Sequence, residues 1–146
     1  MKKTKGFGAH FWLCIIAAVL TVAALTAYIV GAVGFAYYDD LNGVIIAIAA
    51  VAAVASVCTA LLKCSMGDRT VLSILGLAVG AAMAACTMLI ADARVYSIAV
   101  LLFSELEKDN VEGYNALYCS LAAMALFLVA ALCNVASNFC AARVKE

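Results

Sequence analysis

The chain contains no proline. The residue that most often kinks or stops a helix is therefore missing, and long apolar runs can continue as straight helices. Charge is scarce as well: 12% of the residues are Asp, Glu, Lys or Arg, about half the share found in a soluble domain. There is a single histidine, His10. That count excludes haem held between two histidines of one chain and leaves no clustered zinc set. Seven cysteines are present, but no two are spaced as CxxC. Cys14, Cys58, Cys86, Cys119 and Cys133 lie inside apolar runs, and Cys64 and Cys140 lie near the ends of such runs. They read as small buried hydrophobes rather than as ligands or a disulfide framework, so neither a metal nor a cofactor is expected.

What the chain does have is apolar length. Hydrophobic residues make up 68% of it and the mean hydropathy is +1.14. Crossing a hydrocarbon layer of about 30 Å takes roughly 20 helical residues. Apolar runs of that order occur four times, at about 11–36, 44–62, 71–91 and 111–142, the third continuing as a helix to about 108. The connectors YYDDLNG, KCSMGDR and SELEKDNVEGYN are short and polar. Lipid allows only helices or closed barrels, and none of the runs alternates with period two. The expectation is an all-α membrane protein: one four-transmembrane-helix bundle covering residues 1–146. The N-terminal run is too long for the apolar core of a signal peptide, about 7–15 residues, and reads as an uncleaved first span.

The charges are segregated. With four spans, Lys2, Lys3, Lys5, Lys63, Arg69, Arg143 and Lys145 fall on one side, and only Arg94 and Lys108 on the other. By the positive-inside rule both termini are cytoplasmic, and the expected location is a plasma membrane of bacterial inner-membrane type. Seven of the nine acids fall on the outer side: Asp39, Asp40, Asp92, Glu105, Glu107, Asp109 and Glu112. All six tyrosines lie in the outer half, while Trp12 marks the inner interface.

Measured from Arg69 at 1.5 Å per residue, the third span leaves the bilayer near Ile90. Asp92 and Arg94 then lie at the outer headgroup level, and helices 3 and 4 continue beyond the outer membrane face as a hairpin. Asp92 and Arg94 sit about 200° apart on a helix and cannot pair with each other. Asp39 or Asp40 is the natural partner for Arg94, and these four residues form a candidate polar clasp or gate.

Beyond Arg94, the positions Val95, Ile98, Ala99, Leu102 and Leu106 follow helical spacing and predict a core-facing stripe. Val100, Leu101 and Phe103 leave a second apolar face, which in water would bind a partner. The candidate docking surface comprises Val95, Tyr96, Ile98, Leu102, Phe103, Leu106, Tyr114 and Tyr118. Asp109 with Glu112 predicts a capping box at the start of helix 4. The Gly76-x-x-x-Gly80 stripe, continued by Ala84, predicts close helix packing, and Asn134 and Asn138 predict hydrogen bonds between helices. No nucleophile–base pair is expected, because His10 lies on the inner side and the acids on the outer. The function expected is that of a non-enzymatic accessory or assembly subunit docking through the outer hairpin. The alternative is a small homo-oligomeric channel or transporter with an acidic outer vestibule. The partners expected are the lipid bilayer and another membrane protein or a second copy of the chain, and no nucleic acid.

Overall fold

A computed structural model describes residues 8–35, 40–66, 70–104 and 109–140. It contains four helices: α1 (Ala9–Val33), α2 (Gly43–Met66), α3 (Thr70–Phe103) and α4 (Val111–Phe139). All four are long and apolar enough to cross a membrane, and the chain has the architecture of a multi-pass membrane protein. Successive helices run antiparallel, each packs on the next, and α1 against α4 closes the ring. The α3–α4 turn and the α1–α2 connection lie at one end, the hairpin end. Gly8 and Cys140 lie at the other, the terminal end.

The bundle is built inside out relative to a soluble one. Its interior is small: Ala17, Ala24, Ala49, Ala123 and Ala130 are buried, joined by Met83, Ile90 and Phe127. The larger aliphatic side chains Val51, Val54, Ile74 and Leu132 point outward. Lipid tails are as apolar as leucine, so nothing drives such residues inward, and close backbone approach decides the packing. Glycines make that approach possible at two seams. A Cβ at Gly31 would lie 3.0 Å from Cys119 Cβ, and one at Gly80 would lie 2.9 Å from Val135 Cγ2. Gly76 and Gly80 therefore face α4 of their own chain, with Ala84 half-buried beside them.

Three local expectations need correction. The residue that caps α4 is Asn110, not Asp109: Asn110 Oδ1 accepts from Gly113 N at 2.9 Å. Asparagine caps as well as aspartate does, and the amide one position later reaches the third helical N–H. The stripe of α3 that faces the bundle beyond Ile90 is Arg94 and Leu101, with Ser97 and Ile98 half-buried, while Val95, Ala99 and Leu102 are exposed. The inward phase continues from Met83, Cys86 and Ile90. An apolar stripe marks the inner face only in water; here the inward position goes to the residue with polar partners inside. Finally, α1 ends at Val33, where Gly34 N donates to Val30 O at 2.8 Å, short of residue 36. Tyr37, Tyr38, Asp39, Leu106 and the acids Glu105 and Glu107 lie outside the described residues.

Candidate functional site

Two buried polar constellations lie at opposite ends of the bundle. At the hairpin end Arg94, only 1% exposed, reaches the α1–α2 connection. Its Nη1 and Nη2 donate to Asp40 Oδ2 and Oδ1 at 2.6 and 2.8 Å. Its Nε donates to Ser120 Oγ of α4 at 3.3 Å. The two-pronged geometry is the one guanidinium and carboxylate planes favour. Next to it, the buried Tyr28 hydroxyl accepts from Asn42 N at 2.8 Å, and Asn42 Oδ1 accepts from Val44 N at 2.9 Å. Asn42 thus opens α2, and the connection is tied to α1 through Tyr28 and to α3 through Arg94, which itself bonds α4. Asp92, two residues from Arg94, is exposed on the other side of α3.

Past this level α3 runs from residue 94 to 103 and α4 from 111 to 120. Nine further residues on each helix carry the pair about 13 Å past the level of the Arg94–Asp40 pair. Tyr114 Oη donates to Leu101 O at 2.9 Å and ties the two together. The other face is bare: Tyr96 is 80% exposed, Phe103 85%, and Val95, Leu102 and Tyr118 are exposed as well. Of the candidate docking residues, Ile98 and Tyr114 are half-buried within the hairpin.

At the terminal end, side chains from α1, α2 and α4 meet in a cluster that the sequence reading scattered among separate roles. His10 Nδ1 lies 2.7 Å from the Ser137 carbonyl oxygen. A carbonyl only accepts, so Nδ1 carries the proton and Nε2 presents its lone pair. Cys14 Sγ lies beside the ring, 3.7 Å from Nε2 and 4.0 Å from Nδ1. Cys14 Sγ also lies 3.3 Å from Ser137 Oγ and 3.9 Å from Asn134 Oδ1. Ser56 Oγ donates to Cys14 O at 3.0 Å, and the buried Lys63 Nζ donates to Asn138 Oδ1 at 2.9 Å. Two buried polar side-chain atoms have no partner among the described residues, Thr87 Oγ1 and Asn134 Nδ2, and the second belongs to this cluster. The signal in the sequence was His10-x-x-x-Cys14, since residues four apart share a helix face.

Cys14 and His10 are thus neighbours, but the sulfur lies off the axis of the Nε2 lone pair. Cys14 and His10 are 1% and 3% exposed, so the pair is closed to a substrate of any size. Between the two constellations lies an apolar layer formed by Met83, Ile90, Phe127 and the alanines around them. A groove of about 640 Å³ runs outside it between α1 and α2, lined only by alanines, valines and Cys58.

None of the protein-family models, curated proteins or solved structures compared with the chain matches it. The geometry stands alone.

Proposed function

We propose that the chain is a non-enzymatic accessory or assembly subunit of a bacterial inner membrane, with both termini cytoplasmic, that docks a membrane-protein partner through its α3–α4 hairpin. The observation carrying this reading is the bare apolar face of Val95, Tyr96, Leu102, Phe103 and Tyr118 on a segment continuing past the Arg94–Asp40 pair. In this reading Arg94 and Asp40 mark the outer membrane boundary, which puts that face at or above the headgroups. Aromatic residues concentrate at the energetic centres of interfaces, and a contiguous patch of this kind in water is a binding site by its chemistry. The Arg94–Asp40 clasp holds the base of the hairpin.

The test is native mass spectrometry of the protein extracted gently from its host membrane, beside a Tyr96→Lys/Phe103→Glu double variant and a lipid-face control, Val19→Ala. The reading expects a stoichiometric second subunit with the parent and the control, lost in the double variant. A partnerless monomer, or a subunit retained by all three proteins, overturns it.

One observation favours a second reading. Asp92 is exposed on the outward face of α3, so copies assembled through that face would line an acidic path between them, with the Met83–Phe127 layer closing each bundle. This homo-oligomeric channel or transporter predicts ion flux in liposomes that Asp92→Asn changes. The docking reading predicts no flux in either protein.

A further inference from the structure

We propose that the bare face of the hairpin receives an apolar helix of a membrane-protein partner that carries a basic residue at each end of its contact stripe. The inference rests on the docking reading and goes beyond it by fixing the charge of the partner.

Beyond Ile90 the outward residues of α3 form one stripe. Asp92, Val95, Tyr96, Ala99, Leu102 and Phe103 are exposed, and at about 100° per residue they fall within about 120° of the helix circumference. The stripe begins on a carboxylate, and Asp92 makes no ion pair or hydrogen bond among the described residues. One turn further, on the same side, stands Tyr96, 80% exposed. A carboxylate beside an open aromatic ring suits a cation. A guanidinium suits it best, because it pairs with the carboxylate in its own plane and stacks on the ring.

The far end of the stripe is acidic as well. Asp109 and Glu112 are exposed at the α3–α4 turn. Glu112 stands eight residues past Ser120, and Leu102 eight residues past the Arg94 that Ser120 touches. The two are therefore level, about 15 Å along the axis from Asp92. From residue 92 to 118 the chain has five acids, Asp92, Glu105, Glu107, Asp109 and Glu112, against two bases, Arg94 and Lys108. Arg94 is buried against Asp40. The face is thus an apolar strip between two acidic ends, and complementary charge selects what lies on it. Two basic residues eleven positions apart on a helix share a side and span about 16 Å, which matches the strip.

The same charges disfavour a second copy. A two-fold axis along the membrane normal sets like residues at equal height, so Asp92 would meet Asp92 and Glu112 would meet Glu112. Such juxtapositions work against association.

The experiment places the full chain in nanodiscs of phosphatidylcholine, with empty discs as the lipid blank. The probes are two fluorescent helical peptides with the same three-turn leucine–tryptophan stripe, one bearing lysine at both ends of it and the other glutamate. Binding above the blank is read by anisotropy. The lysine peptide is expected to bind about tenfold tighter at low salt, and the preference to vanish in 1 M NaCl, where the screening length is about 3 Å. Asp92→Asn/Glu112→Gln should bring the two peptides within about twofold of each other, and Tyr96→Ser/Phe103→Ser should weaken both. Equal binding of the two peptides by the parent overturns the proposal and leaves the docking reading standing. Binding of neither above the blank overturns it as well. A homodimer in native mass spectrometry that Tyr96→Ser/Phe103→Ser dissolves overturns both readings. Should a variant fail to fold, the peptide preference of the parent and its salt dependence decide.

Discussion

Arg94 and Ser120 touch across the α3–α4 seam at 3.3 Å, and each lies nine positions from the turn-side end of its own helix. The two helices therefore continue past this contact for the same length. Asp40 reaches this same point from the connection, so one guanidinium sets the level of three elements.

Replacing Asp40 by Asn removes the two-pronged pair from a buried arginine. Breaking such a pair costs about 2–4 kcal/mol, below the fully buried figure because Asp40 is partly solvated. The expected result is a lower unfolding midpoint in detergent. Arg94→Lys loses nearly as much, since an ammonium cannot reproduce the fork. A midpoint unchanged in both variants would show that the clasp carries no stability.

Tyr28→Phe deletes the hydroxyl that accepts from Asn42 N. The expected loss is about 1 kcal/mol, the net worth of one buried hydrogen bond. Because Tyr28 and Asp40 tether the same short connection, the losses in Tyr28→Phe/Asp40→Asn are expected to be non-additive, with the double variant less destabilised than the two single losses added together. Simple additivity in a double-mutant cycle would refute a shared tether.

Gly80→Leu forces a branched side chain against Val135. Overpacking of this kind costs about 1–3 kcal/mol, whereas Ala78→Leu, on the exposed side of the same helix, is expected to be neutral. Both proteins should keep the oligomeric state of the parent by native mass spectrometry. A change of state in Gly80→Leu alone would show the stripe to be a seam between copies instead.

Orientation is checked with a membrane-impermeant maleimide. Cys64, exposed near the end of α2, is expected to label in inverted vesicles only, and a cysteine introduced at Glu112 in right-side-out cells only. The opposite pattern would reverse the topology inferred from the lysines.

Much of the fold was legible because length and apolarity alone define spanning helices, and charged connectors punctuate them. The Arg94–Asp40 pair was within reach for a similar reason: a lone arginine at the end of an apolar run needs an anion at its own level, and few are available. The facing of α3 beyond Ile90 was not legible. Periodicity identifies the more apolar side, and in lipid that side does not have to point inward. The thiol–imidazole cluster escaped notice because its members come from three helices and each has an ordinary structural explanation alone. Only the spacing of His10 and Cys14 hinted at it.

The small interior has a consequence for how the bundle assembles. Alanine and glycine lose no rotamer freedom when packed, so bringing these four helices together fixes few side-chain torsions. The valines and leucines that would lose freedom in a soluble core keep it here among fluid acyl chains. Helix association in this protein thus orders few side chains between its two ends, chiefly Met83, Ile90 and Phe127. At the ends Arg94 and Lys63, among the most flexible side chains in the chain, are each held in a single arrangement, so the entropic cost of assembly is concentrated at the two polar constellations.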